Sequence, residues 1–284
     1  MSLRNMDQSK FEENPNNGIE TLSARIKDKS IELREFGCPL NEDGRINMAA
    51  FEGFYPPDEI KRDQEKVLER EKKFKKDDES VKDKKIGQGR NVAFSKEGFN
   101  PKENRGEQLE IIVTYVFQQL FNERFLVARS SRYDDVFNGV DHLILDRETG
   151  NPVCAFDEIA SVSGPLITEK QERILRRNQE GGVALKYGLD LKPSRTGLPE
   201  IQLSQLKNLP IFCFSFPSDE IRRAVQELSS TQEIGSYHGQ LEKYFHRLIQ
   251  YQISSLRLKT LKSPELQKRL NLFEQTLEEL QLPK

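Results

Sequence analysis

Apolar and polar positions are distributed unevenly along this chain. Through residues 1–97 polar and charged side chains dominate, interrupted by Asn14-Pro15-Asn16-Asn17-Gly18 and by Pro56-Pro57. Within that stretch residues 19–36 carry Leu22, Ile26 and Leu33 at helical spacing. Residues 58–85 are almost entirely Glu, Lys, Asp and Arg, which predicts a solvated helix or a disordered spacer, a tether without chemistry of its own. From about Gly98 the pattern changes. Residues 108–122 place Leu109, Ile112, Val113, Val116, Phe117 and Leu120 on a broad helical stripe, wide enough to pack on a sheet. Apolar runs at 125–128, 140–145 and 153–159 then predict three strands, the last two joined by a turn over 146–152.

A helix is expected over 168–178, ending at Gly181-Gly182. Strands at 183–189 and 201–206 would form a hairpin around the loop 192–197. Ile211-Phe212-Cys213-Phe214-Ser215-Phe216 has strand propensity throughout and reads as buried. A helix follows over 220–228, and residues 238–281 are helical, with stripes at Leu241, Tyr244, Phe245, Leu248 and Ile249 and again at Leu270, Phe273, Leu277 and Leu280. This order implies an α/β fold, a mixed central sheet flanked by helices. Three regions are expected: a charged N-terminal arm (1–97), partly helical or disordered, an α/β core (98–230) and a C-terminal helical extension (231–284).

Hydrophobic residues make up 35% and charged residues 32% of the 284, and the net charge is −2. Nucleic acid would therefore have to be met by a local basic face. Lys170, Arg173, Arg176 and Arg177 on one predicted helix, with Lys186 and Arg195, could make one, although a solvated helix face is the simpler account of the arginines. Three widely spaced cysteines fit neither a zinc site nor a disulfide framework. No signal core or bilayer-length apolar stretch occurs, so a cytoplasmic protein is expected. The arm or the C-terminal helices could dock a protein partner.

Chemistry concentrates in the centre. Asp141 and Asp157 lie on adjacent predicted strands, and Glu107 opens the helix before them. Carboxylates converging at one sheet edge suit Mg²⁺ or Mn²⁺, hard cations that take oxygen ligands. Val153-Cys154-Ala155-Phe156 is so apolar that a charge at Asp157 needs a partner. Taken singly, Asp141 could cap a turn and Glu107 could be a helix-start acid. Glu158 should point away from Asp157 as a surface charge or salt bridge. Tyr133, Asp134 and Asp135 form a polar loop, an Asx-turn pair or a substrate contact.

These residues resemble the PD-(D/E)XK, restriction-endonuclease-like nuclease superfamily over about residues 105–217. Gly106-Glu107 is similar to its helix element, Gly139-Val140-Asp141 to its first strand acid, and Ala155-Phe156-Asp157-Glu158-Ile159 to its acid-x-Lys strand, with Ile159 where that lysine stands. The chain is also similar to uncharacterised bacterial proteins sharing Tyr-Asp-Asp, Gly-Val-Asp and Lys-Tyr-Gly. The nuclease resemblance implies Mg²⁺ or Mn²⁺ held by Asp141, Asp157 and Glu107, and hydrolysis of DNA. The missing lysine would come from Lys186, or second from Lys170, while Tyr133, Asp135, Lys170 and Arg173 would meet substrate. The gap at Ile159 also implies an alternative: a decayed nuclease fold that binds nucleic acid or protein.

Overall fold

In the computed structural model, residues 15–35, 37–86, 105–120, 124–193, 199–230 and 236–279 are described. The expected start of the compact part near Gly98, most of the 192–197 loop and Leu280 lie outside them. Helices α1 (Pro15–Glu35) and α2 (Pro57–Ile86) precede α3 (Arg105–Leu120), β1 (Phe125–Arg129), β2 (His142–Asp146) and β3 (Pro152–Ile159). Helix α4 (Pro165–Glu180), strands β4 (Val183–Pro193), β5 (Pro199–Leu209) and β6 (Ile211–Ser215), and helices α5 (Ile221–Ser230), α6 (Ser236–Arg257) and α7 (Pro264–Glu279) complete the chain. The fold is mixed α/β with helices flanking a mixed sheet.

That sheet runs β1-β2-β3-β6, antiparallel except for the parallel pair β3/β6. The crossover between those two strands contains α4 and the separate hairpin β4/β5. Side chains alternate across the sheet into two cores. One face buries Val127, Ile144, Cys154, Phe156, Phe212 and Phe214 against α1, α3, α5, α6 and α7. The other buries Ala128, Leu143, Ala155 and Cys213 against α4, the hairpin and residues 38–60. Helix α4 begins three residues before its expected start, because Pro165 in its first turn supplies a preset φ and lacks an N–H that would go unpaired there.

Both sheet edges are partly covered among the described residues. Residues 44–46 pair with the last residue of β1, where Arg129 N donates to Gly44 O and Ile46 N donates to Arg129 O, both at 3.0 Å. On β6 side chains replace a neighbouring strand. The Asn178 amide donates to Ile211 O at 2.7 Å and accepts from Ile211 N at 2.9 Å. The Gln252 amide pairs likewise with Cys213 O and N at 2.8 and 2.7 Å, and Tyr244 donates its hydroxyl to Ser215 O. Open strand edges invite unwanted pairing, and these side chains close this one. Asn178→Leu strands a buried N–H and C=O and is expected to cost about 1–3 kcal/mol in urea unfolding. A loss below about 0.5 kcal/mol, typical of surface changes, would contradict that role.

The N-terminal region is more integrated than a tether. Ile19, Leu22 and Ile26 of α1 enter the first core, and Leu33, Cys38, Leu40, Ile46, Met48, Phe51 and Ile60 enter the second. The first half of α2, expected to be inert, buries Ile60 and Val67 and sends Glu59 and Asp63 to Lys186. Ile60 and Val67 are seven residues apart and share its buried face, although Leu68 beside them is exposed, a division that composition alone does not reveal.

Candidate metal centre

The acids meet at the end of the sheet where β2 begins and β3 finishes. Asp141 stands one residue before β2, its backbone N donating to Phe156 O at 2.7 Å, and its Oδ2 accepts from Glu158 N at 2.6 Å. That pairing locks the Asp141 carboxylate against the last turn of β3. A cleft of about 400 Å³ opens there, and its lining includes Glu107, Glu110, Asp135, Asp141, Asp157, Glu158, Lys170 and Arg173. Asp141 is 8% exposed and makes no ion pair among the described residues. Burial, then the neighbouring Glu158, Glu110, Asp157 and Asp135, pushes its carboxyl well above the usual range. Buried acid crowded by other acids is an environment that a cation relieves.

Lys170 on α4 brings an ammonium to these acids. Its ammonium reaches across from α4 to contact Asp157 Oδ1 and the carbonyl oxygen of Glu158. Burial opposes its charge, but Asp157 and Asp141 outweigh that and raise its pKa. Arg173, one turn on, donates to Asp157 Oδ2 at 3.1 Å. Gly139 lets the preceding loop close over this corner. Its φ of +57° favours glycine, and a Cβ there would come within 3.7 Å of Asp157 Oδ2 and 3.5 Å of Arg177.

A second group of acids lies on the other side of Asp141. Ligand atoms of Glu110, Asp135 and Asp141 fall within 4.8 Å of one another. Arginines already bridge much of it. Arg45 holds Glu110 at 2.5 Å and Asp135 at 3.1 Å, Arg129 holds Glu110 at 2.5 Å, and Arg132 holds Asp135 at 2.7 Å. Burial works against the Glu110 carboxylate, yet Arg45 and Arg129 outweigh it and hold it down at about 2.

Some expected residues stand elsewhere. Lys186 is not beside Asp141 and Asp157: its ammonium is held by Glu59 and Asp63, both at 2.5 Å, near the rings of Tyr55, Tyr133 and Tyr187. Strand β4 belongs to the separate hairpin, so its side chains do not follow the acidic strands. Tyr133 joins that aromatic cluster, 5.7 Å from Tyr187, instead of lining the cleft. Asp134 is a loop brace, accepting from Lys186 N and Tyr187 N. Glu107 does line the cleft, but it pairs with Arg129 at 2.8 Å, and Glu110 one turn later is the helix acid grouped with Asp141. The i, i+3 spacing of Glu107 and Glu110 was the available signal. Arg45 gave none, being brought in by the edge pairing at residues 44–46.

Glu158 is neither at the surface nor charged in the ordinary way. Thr114 donates its hydroxyl to Glu110 O at 2.6 Å, so it accepts from His142 Nε2 at 2.7 Å. Nδ1 of His142 is then a lone pair 2.7 Å from Glu158 Oε1, and the glutamate supplies the proton. Burial pushes Glu158 up to about 8 and His142 down to about 3, which agrees. In metal-free buffer the native pair and the unfolded pair each hold one proton between the unfolded values of 4.5 and 6.5. Above 6.5 only the native state keeps that proton, so stability should fall as pH rises toward 8, by up to about 1.4 kcal/mol per pH unit. Glu158→Gln keeps a donor to His142 and should make this descent shallower in thermal melts, leaving only the contribution of Asp141. An unchanged descent would mean that another group titrates.

Comparison with family models, curated proteins and solved structures gives no match. No helix among the described residues is long and apolar enough to cross a membrane.

Proposed function

We propose that this protein is a metal-dependent nuclease with a restriction-endonuclease-like core, hydrolysing DNA phosphodiester bonds. The observation that carries this reading is Lys170, whose ammonium sits on Asp157 and the Glu158 carbonyl beside Asp141. Two acids and a lysine converge although the lysine is absent from the strand. The helix α3 followed by the antiparallel strands β1, β2 and β3 supports the resemblance, which places a helix acid before two strand acids.

The donor set fits a hard divalent cation: Asp141 and Asp157 would hold Mg²⁺ or Mn²⁺, with Glu110 and Asp135 facing it across Asp141. Such an ion supplies Lewis acidity and a more acidic bound water. Asp141, fixed by Glu158 N, keeps its carboxylate aimed into the cleft. Lys170 orients the attacking water and offsets negative charge building on the phosphoryl oxygens. Arg173, nearly half exposed at the rim, meets a neighbouring phosphate. The test is cleavage of supercoiled plasmid and of single-stranded DNA with Mg²⁺ or Mn²⁺ by the parent and by Asp157→Asn. Cleavage by the parent, reduced about 100-fold or more in the variant, is expected. Equal cleavage by both, or none by the parent, would refute the reading and favour the decayed, binding-only fold.

A further inference from the structure

Resting on that reading, we propose that the cleft takes an unpaired nucleic-acid strand, one base seated on Phe74 of α2 and the adjoining phosphates on α4. The two walls of the cleft differ in chemistry. Helix α4 lines the cleft with Lys170 and Arg173, and Arg177, one turn further on the same face, donates to Asn138 O at 2.6 Å beyond the lining. Burial and the charges of Arg173 and Arg176 together lower the Arg177 pKa, the condition of a cation row that an anion would relieve. Helix α2 supplies the other wall through Glu71 and Phe74.

Phe74 is a large apolar side chain left 49% exposed in a cleft otherwise lined mainly by charges. It is held in place: the Arg70 guanidinium lies 4.8 Å from its ring centre, and Glu71 on the same helix binds Arg132 at 2.6 Å. Lower down, Glu59 and Asp63 fix α2 to Lys186. An apolar ring facing a cationic row matches the two faces of one nucleotide, base and phosphate. The cleft volume of about 400 Å³ is of single-ligand size. Bases within a duplex are stacked on their neighbours and have no free face for Phe74, whereas an unpaired base does.

The test is fluorescence anisotropy of the full chain in Mn²⁺, using a hydrolysis-resistant phosphorothioate oligonucleotide, single-stranded or annealed as a blunt duplex. The single strand should bind at least about tenfold more tightly. Phe74→Ala should weaken single-strand binding by about tenfold or more, as expected for loss of one base stack, and Phe74→Trp should restore it. Duplex binding that equals or exceeds single-strand binding, an unaffected Phe74→Ala variant, or no binding of either form would overturn the proposal. Preferential, Phe74-dependent binding with no cleavage of an unmodified single strand or of plasmid in Mn²⁺ would uphold it and remove the nuclease reading. Duplex cleavage indifferent to Phe74 would do the reverse.

Discussion

Lys170→Met should sharply reduce cleavage and, in the same molecule, tighten binding of Mn²⁺. The ammonium touches Asp157 and the Glu158 carbonyl, two oxygens that a cation beside Asp141 would also claim. An ion entering must therefore displace Lys170 or share with it. Methionine fills similar space with no charge, so the competition disappears, and affinity should rise about tenfold, equivalent to about 1.4 kcal/mol. Cleavage should nonetheless fall by about 10²–10³-fold, the scale of losing one group that stabilises developing charge. Calorimetric Mn²⁺ titration beside plasmid assays separates the two effects. Weaker Mn²⁺ binding in the variant would mean that Lys170 supports the ion instead of standing in its place. Undiminished cleavage would leave Lys170 a structural ion pair.

Asp141→Asn should make the protein more stable as it removes function. Asparagine keeps an oxygen for Glu158 N while eliminating a carboxylate that is buried, crowded by acids and unpaired among the described residues. The sign follows from the raised pKa. Below the unfolded value of 3.8 the acid is protonated in both states and costs nothing. As pH rises above it, the unfolded chain ionises freely and the native chain does not, so stability drains away. The gain from asparagine should accordingly be small in acid and grow toward about 1–3 kcal/mol at neutral and alkaline pH. Denaturant unfolding at two pH values in chelator measures it. Sites that sacrifice stability for function behave in this way. A variant less stable than the parent at every pH would show that Asp141 is a structural anchor.

Periodicity served the architecture well because the central elements are strongly patterned. The stripe on α3, the three short apolar runs after it and Ile211–Ser215 are all elements in the structure. Local signals also named Asp141, Asp157, Asp135, Lys170 and Arg173, and all five line one cleft. What local pattern could not convey was which distant segment arrives at the site. Lys186 has apolar neighbours and a strand pattern much like what a positioned lysine needs, yet its strand belongs to the hairpin. Lys170 looks like one more cation on a solvated helix face, and only the crossover from β3 through α4 turns it inward. Phe74 comes from the charged run 58–85, whose composition suggests a tether, and Arg45 from the polar stretch before it. Their placement depends on the edge pairing of residues 44–46 and on ion pairs of α2 with Lys186 and Arg132, none of which has a short-range signature. Glu158 misled for a related reason: alternation correctly sends it to the face opposite Asp157, but that face is buried, and His142 receives it there.

A divalent cation held in the cleft through Asp141 is what the proposed nuclease activity requires. Calorimetric titration of the full chain with Mn²⁺, parent beside Asp141→Asn, decides it. Saturable binding by the parent that the asparagine variant loses is the expected result; no saturable binding by the parent, or the same isotherm from both proteins, would contradict it.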